Sequence, residues 1–287
     1  GIIQNGNNSE ETITCIYRAN GKKEILLNNI PYEKFSQHIG KFPGVFIAPD
    51  DIALVANGSD ERRKFLDTMI CQIDENYLQN LITYNKLLAQ RNALLKLEVQ
   101  KRKRDDTLLD AIDERMIIAG KAVHHKRKDF TEKLFPLIQN FYDFISGSSE
   151  IIDISYNSQM NELNFEELFL TTREKDRFTL RTNAGIHKDD IEFRLLSNLF
   201  KQIASQGQKK SLLFACKLAE FEILKQEKGF PPLLLLDDVF EKLDEKRVRN
   251  LLKFIIEQNE GQVFITDTNA ERLQEAVSEF HRELQII

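Results

Sequence analysis

The spacing of apolar residues changes along the chain, and each change marks a different kind of element. From residue 1 to about 50 they alternate or form short blocks: ETITCIYR, a turn at ANGKKE, then EILLNN, and GVFIAP closing on Pro49. That texture predicts strands. Beyond it Tyr77, Leu81, Tyr84, Leu88 and Leu95 recur at helical spacing in a stretch almost free of Gly and Pro. A helix is therefore expected over 74–104, about 45 Å long at 1.5 Å per residue. Leu109, Ile112, Met116, Val123, Phe130, Leu134, Leu137, Phe141 and Phe144 make a second periodic run. It should fold back on the first as an antiparallel pair, with a bend near Pro136. SGSSE at 146–150 ends this helical block.

Strand signals return at IIDISYN and DRFTLRTNAG, and beyond Phe193 helix and buried strand alternate, the order of an α/β core. Residues 209–228 read as a helix with Leu212, Leu213, Ala215, Cys216, Ala219 and Ile223 inside and Gly229 placed to end it. The unbroken apolar run 233–236 reads as a strand buried on both faces of a parallel sheet. A helix over 245–258, a stop at NEG, a buried strand QVFIT and a last helix with Asn269 as its N-cap complete the pattern. The expected fold is α/β: the two ends of the chain share one sheet, interrupted by a mostly helical lobe. The corresponding segments are 1–50, 51–150 and 151–287.

The chain has 287 residues, 41% hydrophobic and 30% charged, enough for one large or two ordinary domains. No apolar run approaches the ~18 residues a membrane helix needs, and the first residues hold no signal-like segment. Cys15, Cys71 and Cys216 fall in no CxxC or Cys/His cluster, so neither a disulfide framework nor a zinc site is indicated. A cytoplasmic location without a membrane partner is the expectation. The net charge of −5 is unevenly placed: residues 233–287 hold twelve acids and seven Lys or Arg, whereas 86–104 hold seven Lys or Arg against the single Glu98. A second basic cluster, KAVHHKRK, spans 121–128.

Chemistry enters at PPLLLLDDVFEKLD, where the apolar run delivers Asp237 and Asp238. Ligands of parallel sheets sit at the carboxyl ends of strands, and two acids there suit a nucleotide-triphosphatase that holds magnesium and orients a water. Taken alone, the pair reads slightly better as a cap on the next turn. Upstream, in ASQGQKKSLLFACKLAE, a Ser and a Gly stand where a loop enters a helix, a place that offers a hydroxyl and free amides to an anion. Taken alone, SQGQ reads as an ordinary cap. In this order, and followed by EKLD, the two segments together point to an ATPase head.

The segments FIAPDDIALVANGSDERRKFLD, YNKLLAQRNALLK, GIHKDDIEF, ASQGQKKSLLFACKLAE and PPLLLLDDVFEKLDEKR resemble the RecF family of bacterial DNA replication and repair ATPases, relatives of SMC proteins and ABC-type ATPases. The resemblance implies a signature loop of Ser205, Gln206, Gly207 and Gln208, a Walker B strand ending in Asp237 and Asp238, and a D-loop over 241–244 that ends in Asp244. It implies that Asp237 binds Mg²⁺, that Asp238 takes the place of the usual catalytic Glu, and that Ser205 and Gly207 contact the γ-phosphate of ATP bound mainly by another subunit. Further implications are an ATP-dependent homodimer, binding of gapped or junction DNA, and work with recombination mediator proteins to load recombinase. Ile186 and Lys188 stand where the family usually shows Pro and Arg. No G-x-x-x-x-G-K-[ST] segment, the P-loop, occurs in the 287 residues, and the chain begins without Met. The expectation is a fragment lacking the P-loop, inactive alone.

Arg62, Arg63 and Asp67 in ERRKFLD read as an ion-pair and capping set. Lys101, Arg102, Lys103 and Arg104, with Lys126, Arg127 and Lys128, are either solvated helix ends or, as the resemblance implies, the DNA-binding cations. His187 and Lys188 either line the nucleotide edge or are structural, and Asp244 also suits the N-cap of the next helix. The alternatives to a RecF-type protein are another ABC-type ATPase subunit and a non-catalytic DNA or protein interaction module.

Overall fold

In the computed structural model, which describes residues 2–4, 10–147, 150–237 and 243–266, the chain divides into two units, Gly1–Pro43 and Gly44–Ile287. In the first, strands β1 (Ile2–Gln4), β2 (Glu10–Tyr17), β3 (Lys23–Leu27) and β4 (Ile30–Pro31) form an antiparallel sheet in chain order. Asn28 and Asn29 take left-handed φ of 51° and 66° to turn β3 into β4, a region Asn tolerates better than most residues. The Asn28 side chain then accepts the Thr12 amide at 2.8 Å.

The second unit opens with β5 (Gly44–Ile47), α1 (Ala53–Ala56), α2 (Ser59–Ile73), α3 (Glu75–Lys101) and α4 (Asp106–Ser146). There follow β6 (Ile152–Asn157), α5 (Phe165–Thr179), β7 (Asp190–Leu195), β8 (Asn198–Leu199) and α6 (Phe200–Ile203). α7 (Gln206–Lys228), β9 (Leu233–Asp237), α8 (Glu245–Lys253) and β10 (Val263–Thr266) complete it. The parallel sheet has the order β10-β9-β5. β5, just before the helical insertion, thus pairs with β9 from beyond it, as expected, but β1–β4 form a sheet of their own instead of joining it. β6, β7 and β8 form a separate antiparallel sheet.

Capping fixes where the long helices begin. Asp74 accepts the Tyr77 amide at 2.9 Å to start α3, and Asp105 accepts the Leu108 amide at 3.0 Å to start α4, each satisfying a donor the first turn leaves free. The two run antiparallel: Lys126 reaches Asp74 at one end, Arg91 meets Asp113 midway, and Glu98 accepts the Asp105 amide at the other. α4 runs unbroken through Pro136. Its buried face, Leu109, Met116, Val123, Leu134, Ile138 and Tyr142, packs on α3 and then along α7.

Three expectations about strands change. DRFTLRTNAG is not a strand: its first four residues are the end of α5, and Leu180 closes that helix at φ 55°. Asn164 caps α5 by accepting the Glu167 amide at 2.8 Å, while Phe165, Leu168 and Phe169 fill one face, so the 3.6-residue period prevails over the short alternation that follows. β9 is not buried on both faces either, and QVFIT, expected as a buried strand, alternates half-buried and exposed residues as β10. Leu234 and Leu236 are buried, but Leu233 and Leu235 are half-buried, and Phe46 and Phe264, in register with Leu235, are 50% and 49% exposed. One face of the sheet carries the core, with α7 packed on β5. Asn269 lies outside the described residues. Among the described residues, no helix is long and apolar enough to cross a membrane.

Candidate nucleotide site

β9 ends in Asp237 at the carboxyl edge of the parallel sheet, the edge where such sheets receive ligands. Thr266, the last residue of β10, lies opposite it and donates its hydroxyl to Asp237 Oδ1. Magnesium is commonly held through one or two carboxylates together with substrate phosphates, and Asp237, exposed at this edge, can supply one such oxygen. Asp238 and the first residues of 241–244 lie outside the described residues. Asp244 is described: it caps α8 by accepting the Arg247 amide at 2.9 Å, and its other oxygen accepts from Arg247 Nη1 at 2.5 Å.

Ser205 caps α7 from an extended conformation. Its Oγ accepts the Gln208 amide at 3.2 Å, and Gln208 Oε1 accepts the Ser205 amide at 2.8 Å, the reciprocal arrangement of a capping box. The 23 residues of α7 align their peptide dipoles so that this end is positive. Gly207 lies in the first turn, where a Cβ would stand 2.6 Å from Arg247 Nη1. Glycine leaves room for the guanidinium, so the helix that Asp244 begins rests on the turn that Ser205 begins. Gln208 Nε2 donates to Glu150 Oε2 at 3.0 Å, and the same oxygen accepts from the Tyr142 hydroxyl at 2.9 Å. Arg247, Glu150 and Tyr142 carried no functional signal in sequence: Arg247 and Glu150 stood only as the last residues of PPLLLLDDVFEKLDEKR and SGSSE. Among the described residues, no hydrogen bond or ion pair joins Asp237 to the Ser205 cap.

ERRKFLD forms the expected ion-pair set. Arg62 forks onto Asp190 at 2.7 and 2.9 Å, Arg63 donates to the Asp189 carbonyl and pairs with Asp60, and Asp67 takes Arg127. Arg127 is therefore not a surface cation. It is 2% exposed and donates to Asp67, Asp189 and the Ile186 carbonyl, which leaves it nothing to offer a DNA phosphate. Lys126 pairs with Asp74 at 2.8 Å and Arg104 with Glu174 at 3.2 Å. Lys101, Arg102, Lys103 and Lys128 are exposed and make no ion pair among the described residues.

His187 is structural. Its Nε2 faces the Thr182 carbonyl at 3.1 Å and must carry the proton, so Nδ1 accepts the Tyr84 hydroxyl at 2.8 Å. Burial pushes its pKa down to about 4, so the ring is neutral. Lys188 beside it is exposed.

No family model matches the chain. It is 41% identical over 280 residues to the DNA replication and repair protein RecF of Flavobacterium johnsoniae, covering 98% of this chain and 78% of that protein. It is 42% identical over 273 residues to the protein of the same name from Bacteroides thetaiotaomicron, covering 95% and 73%. The solved structure of the recombination mediator protein RecF-ATPrS in the RecFOR pathway superposes with a TM-score of 0.82 at 31% identity, over 94% of this chain and 74% of that one. An α/β head with a helical insertion is thus a fold this chain shares with a solved RecF. The chain belongs to the RecF family.

Proposed function

We propose that this chain forms part of an ATP-driven switch in DNA replication and repair. Asp237 would hold Mg²⁺ and Asp238 would orient the attacking water. Ser205, Gln206, Gly207 and Gln208 would complete the ATP site of a second copy, with Asp244 close by. The observation that carries the reading is the superposition on a RecF structure named as an ATP-analogue complex, in a chain whose own cap at Ser205 presents a hydroxyl and amides at a positive helix end. Among the described residues no hydrogen bond or ion pair joins the strand end to the cap, and in this reading a phosphate held at Asp237 meets the Ser205 of a second subunit, as in a twofold assembly. The three segments 1–50, 51–150 and 151–287 would be the two parts of the ATPase lobe and the helical lobe between them. Gapped or junction DNA and recombination mediator proteins are the proposed partners, in the cytoplasm.

Ser205→Arg tests this reading in the intact protein. The variant should fold and bind ATP yet lose ATP-dependent dimerisation and hydrolysis together. Light scattering with and without ATP decides it: an ATP-induced dimer as stable as the parent's would reduce SQGQ to a helix cap.

A further inference from the structure

The Ser205 cap is held from outside its own helix. Gln208 has a carboxamide with two ends, and both are used: Oε1 must face the Ser205 amide, a donor, so Nε2 faces Glu150 Oε2. Glu150 is fixed in turn by α4. The Tyr142 hydroxyl donates to the same Oε2, and Gln139 Nε2 donates to the Glu150 carbonyl at 3.1 Å while its Oε1 accepts the Ile152 amide at 2.9 Å. The Tyr142 ring is fully buried and meets Phe200 edge to face at 6.2 Å, just before the chain enters the cap. A residue held by one donor at its carboxylate and another at its backbone carbonyl, both from the same helix, is confined, and it passes that constraint to the next group.

We propose that Glu150 is a positioning residue for the nucleotide-facing cap: through Gln208 it sets where the Ser205 hydroxyl and the amides around Gly207 point. This rests on the reading of that cap as a phosphate contact. Glu150 need not touch nucleotide. Its effect belongs to the assembled, reacting state, where a displacement of about 1 Å in a contacting group can cost up to a hundredfold in rate.

The test uses the intact protein, with ATP turnover and ATP-dependent light scattering as readouts. Glu150→Ala should lower kcat about tenfold while leaving KM for ATP within about twofold, because it disturbs a contact made on the partner's nucleotide. Glu150→Gln keeps an oxygen for both Tyr142 and Gln208, and should restore kcat to within about twofold of the parent. Gln208→Glu retains an acceptor for the Ser205 amide but sets a carboxylate against Glu150; kcat should fall, and adding Glu150→Gln should recover it, a coupling a double-mutant cycle reads directly. A Glu150→Ala enzyme with unchanged kcat, or Glu150→Ala and Glu150→Gln failing alike, overturns the proposal. Ser205→Arg run alongside separates the two failures. If it abolishes dimerisation and turnover while Glu150→Ala does nothing, the cap reading stands and the role of Glu150 falls. If Ser205→Arg is itself harmless, the cap reading fails and takes this proposal with it.

Discussion

Arg91 occupies a position where the helical period calls for an apolar side chain. It stands four residues after Leu87 and four before Leu95, both buried, and it is itself 0% exposed. Its planar fork pairs with Asp113 and Asp176, each at 2.6 Å, donates to Thr182 and lies 4.8 Å over the Phe169 ring. Buried ion pairs add little net stability, but removing one partner strands the other charges in a medium that cannot solvate them. Arg91→Ala should therefore cost about 3–5 kcal/mol, read as a fall in the urea midpoint, whereas a loss under about 1 kcal/mol would mean that water reaches the site. Arg127 follows the same logic, four residues after Val123 and three before Phe130. The interior position of Arg91 was legible in the period; Arg127 fits the period as well, but the adjacent Lys126 and Lys128 make it read as a surface cation. Their partners were not legible, since Asp176 is 85 residues from Arg91 and Asp189 is 62 from Arg127. His187 gives a pH dependence with a definite sign. Folding lowers its pKa from 6.5 to about 4, so between those values the unfolded chain holds a proton the native state refuses. Stability is full above pH 6.5 and declines toward pH 4, by about 3 kcal/mol for this group. His187→Gln, which can keep both hydrogen bonds, should flatten that part of the stability profile relative to the parent; identical profiles would assign the loss to other groups.

Helix starts were legible from residue type, because Asp74, Asp105, Ser205 and Asp244 each supply a short acceptor just ahead of an apolar period. α5 was missed although Asn164 provides the same signal. The period-two run FTLRT, which overlaps its last two residues, outweighed a helix whose apolar face is only three residues wide. The fit of α4 against α5 could not be seen in sequence at all, since it turns on volume. Gly120 lies inside α4, where alanine is ordinarily better by about 1 kcal/mol. Here an added Cβ would overlap the Phe165 ring, which is fully buried and meets the Phe169 ring at a tilt of 46° with centroids 4.8 Å apart. The ring has nowhere to swing, so overpacking at about 1–3 kcal/mol should win. Gly120→Ala is expected to destabilise, with the largest loss of amide-exchange protection in α5. A variant as stable as the parent would show that α5 can move away from α4.

At the scale of the molecule, charge is arranged rather than balanced. A net charge of −5 would keep DNA away if it were spread evenly, yet screening confines each charge to about 8 Å at physiological salt. A cluster at the end of a helix 27 residues long, about 40 Å by its rise, is thus read by itself. Lys101, Arg102 and Lys103 form that cluster at the turn between α3 and α4, with Arg102 in the left-handed region at φ 51°. The neighbouring acids are already engaged. Glu98 pairs with Arg177, and Arg177 also holds the Asp106 carboxyl below its ordinary range. The turn therefore presents uncompensated cations, whereas Lys126 spends its charge on Asp74. If the proposed DNA partner binds here, the cost of removing cations should appear mainly as a salt dependence. Each phosphate contact contributes about 0.9 to the slope of log K against log salt on duplex DNA. Replacing Lys101, Arg102 and Lys103 with Gln in the intact protein should then reduce that slope by about 2–3, with ATP affinity unchanged. Lys126→Gln should change it by well under one unit. Anisotropy titrations over a range of salt concentrations read both, and parallel slopes for the parent and the triple variant would remove the turn from the DNA-binding surface.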